Sequence, residues 1–336
     1  MSENHSYRRY YRSFFWPVVI LGVGVIWLLS NLKMIPTSNL WILFQLWPAL
    51  IIMAGLDILF ARRLPLIGAL LGLLVVGGVV YILLNGSTLG LDKEYEPRTE
   101  TFTVEVGEAT SVDLDLDLST QETFINALEE STNLLEAEIG HVGEVEFTVT
   151  GTEEKFIDLH QVGIDSWFSW ALPGVEGEKL TWEVYLSPDV PFDLNVDAGT
   201  GRSELDLSGV QLDQLRYDGG TGASTIILPA SPEGYDTRVE SGTGSMEIVF
   251  PAESSLTVRL DSGTGSVTLD VPEDAAVKIQ VLNGGTGNLK LPDWIYKVSG
   301  QEGRDEGVYQ TDGFDDAVYQ LNIIIEDIGT GNILVR

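Results

Sequence analysis

Carboxylates recur in this chain at a spacing that could hold a cation. Asp197, Asp218, Glu240, Asp261 and Asp327 each stand two residues before the first glycine of a Gly-Thr-Gly triplet, and Asn283 takes the same place before a sixth. Stacked on one another, such side chains repel unless they are solvated, hydrogen-bonded or bridged by cations. They are therefore candidate Ca²⁺ ligands. The competing reading is an Asx-type turn, in which each side chain accepts a hydrogen bond from a following backbone N–H. The Ca²⁺-binding nonapeptide repeat GGxGxDxUx is not matched.

A second acidic group alternates along Val112-Asp113-Leu114-Asp115-Leu116-Asp117-Leu118. Three carboxylates in line could hold Ca²⁺ or flank a glycosidic bond. No basic residue accompanies them, so they read as the solvated face of a strand. The histidines are His5, His141 and His160, and none lies in a nucleophile-elbow or zinc-protease context. No phosphate loop is present, and Gly-Thr-Gly on a β-turn is not a dinucleotide fingerprint. The expectation is a protein without catalytic residues and without a cofactor, Ca²⁺ excepted. Trp167, Phe168 and Trp170, with Trp182 nearby, form a candidate contact patch or, alternatively, a cap over an open sheet end.

The elements that must position these groups repeat. The triplet starts at Gly199, Gly220, Gly242, Gly263, Gly285 and Gly329, with its second glycine at Gly201, Gly222, Gly244, Gly265, Gly287 and Gly331. The steps are 21, 22, 21, 22 and 44 residues, so one degenerate rung is expected near Glu306-Gly307-Val308. Period-two alternation follows each triplet (Leu205, Ile226, Ile248 and Leu269 in equivalent places) and precedes it (Leu194 and Val196, Val258 and Leu260). Pro229, Pro251, Pro272 and Pro292 close the rungs. A rung of two strands is too short for a propeller blade and suits one coil of a stacked β structure. The expected fold is a single-stranded, β-helix-like solenoid with coils of 21–22 residues. Residues 121–135 read as a short helix or loop insert, and 143–151 and 155–162 as further strands.

Charge divides the chain. Its formal net charge is −31, yet 44% of its residues are hydrophobic. Residues 1–84 carry Arg8, Arg9, Arg12, Lys33, Arg62 and Arg63 against Glu3 and Asp57; the rest carry 13 basic and 48 acidic residues. So acidic a domain repels phosphate, which excludes nucleic acid as a partner. The absence of cysteine excludes disulfides and thiolate chemistry. Three apolar runs (Phe14–Ser30, Leu40–Phe60 and Leu64–Leu84) predict three spans of a lipid bilayer, with Trp and Tyr toward their ends. Asp57, near the end of the second run, reads as snorkelling or pairing with Arg62 or Arg63. The arginines put the N-terminus in the cytoplasm and the acidic domain outside. The expected organisation is a cytoplasmic tail (1–13), a three-span region (14–84), a linker (85–98), an N-terminal β part with inserts (99–182) and the repeat (183–336).

The segment from Trp182 to Val210, with its Ala-Gly-Thr-Gly and flanking alternation, resembles the toast-rack domains of bacterial envelope proteins, also described as adhesin-type β-solenoids. Trp16-Pro17 and Trp47-Pro48, each followed by glycines, resemble the membrane region of LiaI/LiaF-type proteins. The resemblance implies a LiaF-like envelope-stress protein of the bacterial inner membrane. Such a protein would be a non-enzymatic sensor or scaffold whose partner is a membrane sensor kinase or another envelope protein. The alternative is an adhesin-like module that binds a surface or cell-wall polymer.

Overall fold

The structure, a computed structural model, describes residues 14–32, 34–35, 51–52, 55–56, 65–85, 98–118, 121–129, 131–162 and 180–336. The chain divides into two units: a first one of residues 1–96 and 170–176, which contains the described helices, and a β unit of residues 97–169 and 177–336.

The helical unit contains α1 (Phe15–Asn31) and α2 (Pro65–Asn85). Both are apolar on all sides, with Leu21, Trp27 and Leu73 exposed. Glycine lets the helices approach closely. A Cβ on Gly22 would lie 2.2 Å from Val76 Cγ2, and one on Gly72 would lie 3.0 Å from Val18 Cβ. Around Leu83 and Ile35 pack Ile26, Leu29, Val79 and Ile82. Three membrane spans are not supported. Among the described residues no helix is long and apolar enough to cross a membrane. The 17 residues of α1 rise about 26 Å, short of the ~30 Å hydrocarbon core. Most of the second apolar run, including Asp57, lies outside the described residues, as do Arg62 and Arg63.

The β unit has two sheets. Its N-terminal part supplies β1 (Arg98–Glu105), β2 (Ser111–Asp117), β3 (Glu122–Ala127), β4 (Asn133–His141), β5 (Glu144–Thr150), β6 (Glu154–Val162) and β7 (Thr181–Leu186). The repeat supplies β8 (Phe192–Asp197), β9 (Thr200–Asp206), β10 (Leu212–Asp218), β11 (Thr221–Ile227), β12 (Asp236–Glu240), β13 (Thr243–Val249), β14 (Leu256–Asp261) and β15 (Thr264–Asp270). After these come β16 (Ala276–Val281), β17 (Asn288–Lys290), β18 (Tyr296–Ser299), β19 (Gly307–Gln310), β20 (Gln320–Asp327) and β21 (Asn332–Val335). Sheet A runs β1-β4-β7-β3-β9-β11-β13-β15-β21-β17, and sheet B runs β18-β19-β16-β20-β14-β12-β10-β8-β2-β6-β5.

Each repeat coil gives one strand to each sheet, in parallel register with its neighbours. Leu205, Ile226, Ile248 and Leu269 align in sheet A; Val196, Tyr217, Val239 and Leu260 align in sheet B. All eight are fully buried in one apolar core. The triplet makes the corner between sheets, and its second glycine has a steric reason. A Cβ on Gly222 would lie 1.8 Å from the carbonyl oxygen of Gly201 in the next coil, and its φ is +148°. Stacked backbones touch here with no room for a side chain.

The solenoid expectation needs three corrections. The coils do not stack in sequence order: β20 and β21 lie between β14/β15 and β16/β17, and β2 and β3 stack on β8 and β9 across the 64 residues between Ala127 and Phe192. The final triplet is thus not separated from the fifth by a degenerate rung, and 307–310 is β19, antiparallel to β16 and β18. Antiparallel pairs also close the N-terminal end, β1 with β4, β4 with β7 and β5 with β6. Finally, 121–135 contains β3 and the start of β4 rather than a helix. Thr123 and Ile125 are buried at alternate positions, and pairing with β7 and β9 outweighs the helix propensity of the Glu/Ala/Leu content.

Candidate functional site

The expected carboxylate column exists as a ladder on the outer face of sheet B. Register pairs Asp197 with Asp218, Asp218 with Glu240, Glu240 with Asp261 and Asp261 with Asp327. It also runs further than the triplets mark. Asp117 pairs with Asp197 on one side and with His160 on the other. At the opposite end Asn283 Nδ2 donates to Asp327 Oδ2 at 2.7 Å. The ladder therefore begins at an imidazole and ends at an amide, with carboxylates between.

Two of its members are Asx turns: Asp327 Oδ1 accepts from Gly329 N at 2.7 Å, and Asn283 Oδ1 from Gly285 N at 3.2 Å. The middle is relieved differently. Arg216, Arg238 and Arg259 align one pleat away on the same face. Arg238 Nε donates to Glu240 Oε1 at 3.3 Å, and its Nη2 to Glu326 Oε2 at 3.1 Å. This compensation is partial. Desolvation by burial, and after it the neighbouring carboxylates, raise Asp197, Asp218 and Asp261 above the ordinary aspartate range, although Arg238 pulls Asp261 the other way.

The most concentrated charge is near the start of the ladder. Asp115, Asp117, Asp158, His160, Asn195 and Asp197 line a surface pocket of about 390 Å³. Asn195 Nδ2 donates to Asp115 Oδ1 at 3.2 Å. His160 Nδ1 hydrogen-bonds Asp158, and its Nε2 is 3.5 Å from Glu146 Oε2. The Asp158 bond, followed by the charges of Asp158, Glu146 and Asp117, raises the His160 pKa against the opposing desolvation. Burial and the adjacent carboxylates raise Asp115; burial raises Asp117, against the lowering effect of His160. Asp113, Asp115 and Asp117 all stand on the outer face of β2. Among the described residues no group of three or more His, Asp or Glu is placed to hold a metal ion.

Trp167, Phe168 and Trp170 lie outside the described residues, and Trp182 is fully buried in the β core. Its strand, β7, turns it inward between β3 and β4, so it is a packing residue and not a contact residue. His141 is likewise buried, with Nε2 3.4 Å from Glu100 Oε1.

The arginine row was legible in the sequence: Arg216, Arg238 and Arg259 recur at steps of 22 and 21, each two residues before a ladder carboxylate. The Asp117 and His160 extension carries a fainter signal. Val112-Asp-Leu-Asp-Leu-Asp117 repeats the alternation of Phe192-Asp-Leu-Asn-Val-Asp197 without the following Gly-Thr-Gly.

Residues 92–249 match the family model for the N-terminal domain of toast_rack. Residues 14–59 match the model for the LiaI-LiaF-like transmembrane region. The chain thus combines a region similar to the toast_rack N-terminal domain with one similar to the LiaI-LiaF-like transmembrane region.

Solved structures that match this chain include a candidate cell adhesion protein from Clostridium sporogenes ATCC 15579, at 18% identity and a TM-score of 0.45, covering 71% of this chain and 99% of that one. A candidate adhesin from Bacteroides fragilis NCTC 9343 is 9% identical, with a TM-score of 0.24 and coverage of 71% and 97%. Another, from Parabacteroides merdae ATCC 43184, is 12% identical, with a TM-score of 0.23 and coverage of 72% and 97%. No curated protein matches.

Proposed function

We propose that this chain is a non-enzymatic, membrane-anchored scaffold of the bacterial cell envelope. Its helical unit restrains a two-component sensor kinase, and its acidic β unit stands on the extracytoplasmic side. The observation that carries this reading is the union of two regions on one chain, a LiaI-LiaF-like membrane region and a toast-rack domain. The exposed apolar surfaces of α1 and α2 suit lipid and partner helices. The arginines at positions 8, 9 and 12 favour a cytoplasmic N-terminus.

The β unit fits sensing or scaffolding better than chemistry. Its outer ladder is repetitive, charged and shallow, whereas an active site needs a few convergent groups in a cleft. The expected consequence is genetic. Deleting the chain should raise the basal output of the kinase's response regulator several-fold without an envelope stressor, and restoring the full chain should lower it again. Unchanged output of every envelope-linked response regulator would defeat the reading.

A further inference from the structure

The coil formed by β20 and β21 is flanked by two coils that fit each other. In sheet B, Leu321, Ile323 and Ile325 pair with Leu256, Val258 and Leu260 on one side and with Val277, Ile279 and Val281 on the other. In sheet A, Ile333 pairs with both Val267 and Leu289. Without the intervening coil, Leu256 would face Val277 and Val267 would face Leu289. Those offsets are 21 and 22 residues, the same steps by which the consecutive coils from 192 to 270 stack. The buried alternation is in phase, so direct stacking would keep every apolar side chain inside.

The insertion leaves marks where the coil enters. Residues of the turns at 251–254 and 272–276, with 317–319, line an open pocket of about 210 Å³. Val318 is 85% exposed at its mouth. Glu253, in the first of these turns, is the sole non-glycine with positive φ (+53°) among the described residues. At the exit, Arg336 is clasped by side chains of two coils, through Glu247 and Asp270. These contacts are exposed and weak by nature.

We propose that the 320–335 coil is a reversible insert: it leaves its slot as a unit, and the coils at 256–270 and 276–290 then stack directly. Departure gives up two strand pairings in each sheet and regains one. The open state therefore costs the burial of one coil and not the whole fold. The freed segment carries Leu321, Ile323, Ile325, Ile333 and Val335 as an apolar, alternating strand pair.

The chain has no cysteine, so engineered pairs can report the rearrangement. Thr257 and Lys278 each pair with Asn322, and are two strand spacings apart, about 9.6 Å, beyond disulfide reach. After re-pairing they would be one spacing apart, about 4.8 Å, within reach. Thr268 and Lys290, flanking Leu334, form the equivalent pair in sheet A. Gln214 and Thr257, flanking Asp236, are the control, because the strand between them belongs to a consecutive coil. In the full chain under native conditions, Thr257→Cys/Lys278→Cys and Thr268→Cys/Lys290→Cys should each oxidise at least tenfold faster than Gln214→Cys/Thr257→Cys. Equal rates would overturn the proposal. Hydrogen exchange on the unmodified chain gives an independent reading. Amides of 321–325 and 332–335 should exchange together and at least tenfold faster than those of 214–218 and 221–227, and equal protection would overturn it.

Discussion

Glycine allows close approach in both units, against different neighbours. In the helical unit Gly22 faces the side chain of Val76. In the β unit Gly222 and Gly244 face carbonyl oxygens of the coil beside them, each at 1.8–1.9 Å from where a Cβ would sit. A side chain can rotate or the helix can slide. A carbonyl held in a parallel ladder can do neither without losing its hydrogen bonds. The helical contact is therefore adjustable, whereas the contact between the consecutive coils at 192–270 is not.

Substitution should expose that difference. Gly222→Ala meets both a backbone clash and an unfavourable φ, and should cost about 3–5 kcal/mol, read as loss of the cooperative β-sheet melt. Gly22→Ala should cost less, about 1–3 kcal/mol, and leave the β melt of the full chain in detergent unmoved. If the two substitutions cost the same, the contrast between side-chain and backbone neighbours is wrong.

The next effect has the opposite sign. Thr237 sits in a buried column beside Leu215 and Val258, and its hydroxyl has no hydrogen-bond partner. Thr237→Val keeps the shape and removes that group, so denaturant unfolding should show about 1 kcal/mol of added stability.

The smallest effect per group is electrostatic and confined to the β unit. Asp115, Asp117, Asp197, Asp218 and Asp261 have pKa values raised on folding, so the folded state holds their protons more readily than the unfolded one. Their contribution to stability is fully present below the unfolded value of 3.8 and is lost as pH rises through the folded values. His160, also raised, adds in the same direction from its ordinary 6.5 upward. The β melt should therefore come at a higher temperature near pH 5 than near pH 8, and less so in high salt. A β melt lower at pH 5 than at pH 8 would contradict the ladder's electrostatics.

The repeat was legible because each coil states its own register. Alternation fixes which side chains face inward, the triplet fixes the corner, and the step of 21–22 residues fixes what aligns with what. Coil order was not legible for the same reason. The strands at 256–261, 276–281 and 320–327 all offer the same inward pattern, so local sequence does not choose which of them is the neighbour. The strand at 122–127 was hidden by helix-favouring residues that pairing overrules. The acidic column was visible from its place before each triplet. The neighbouring row of Arg216, Arg238 and Arg259, of which Arg238 pairs with Glu240, was equally periodic but only explains itself once the sheet's outer face is seen as a surface.

In the proposed function the helical unit, and not the β face, meets the kinase. Photo-crosslinking in intact cells can compare the two directly, with the reactive residue at Leu73 on α2 or at Ser245 on sheet A, both exposed. The prediction is that Leu73 captures a membrane sensor kinase and Ser245 does not. Capture of no kinase from Leu73, or of a kinase from Ser245 alone, would contradict it.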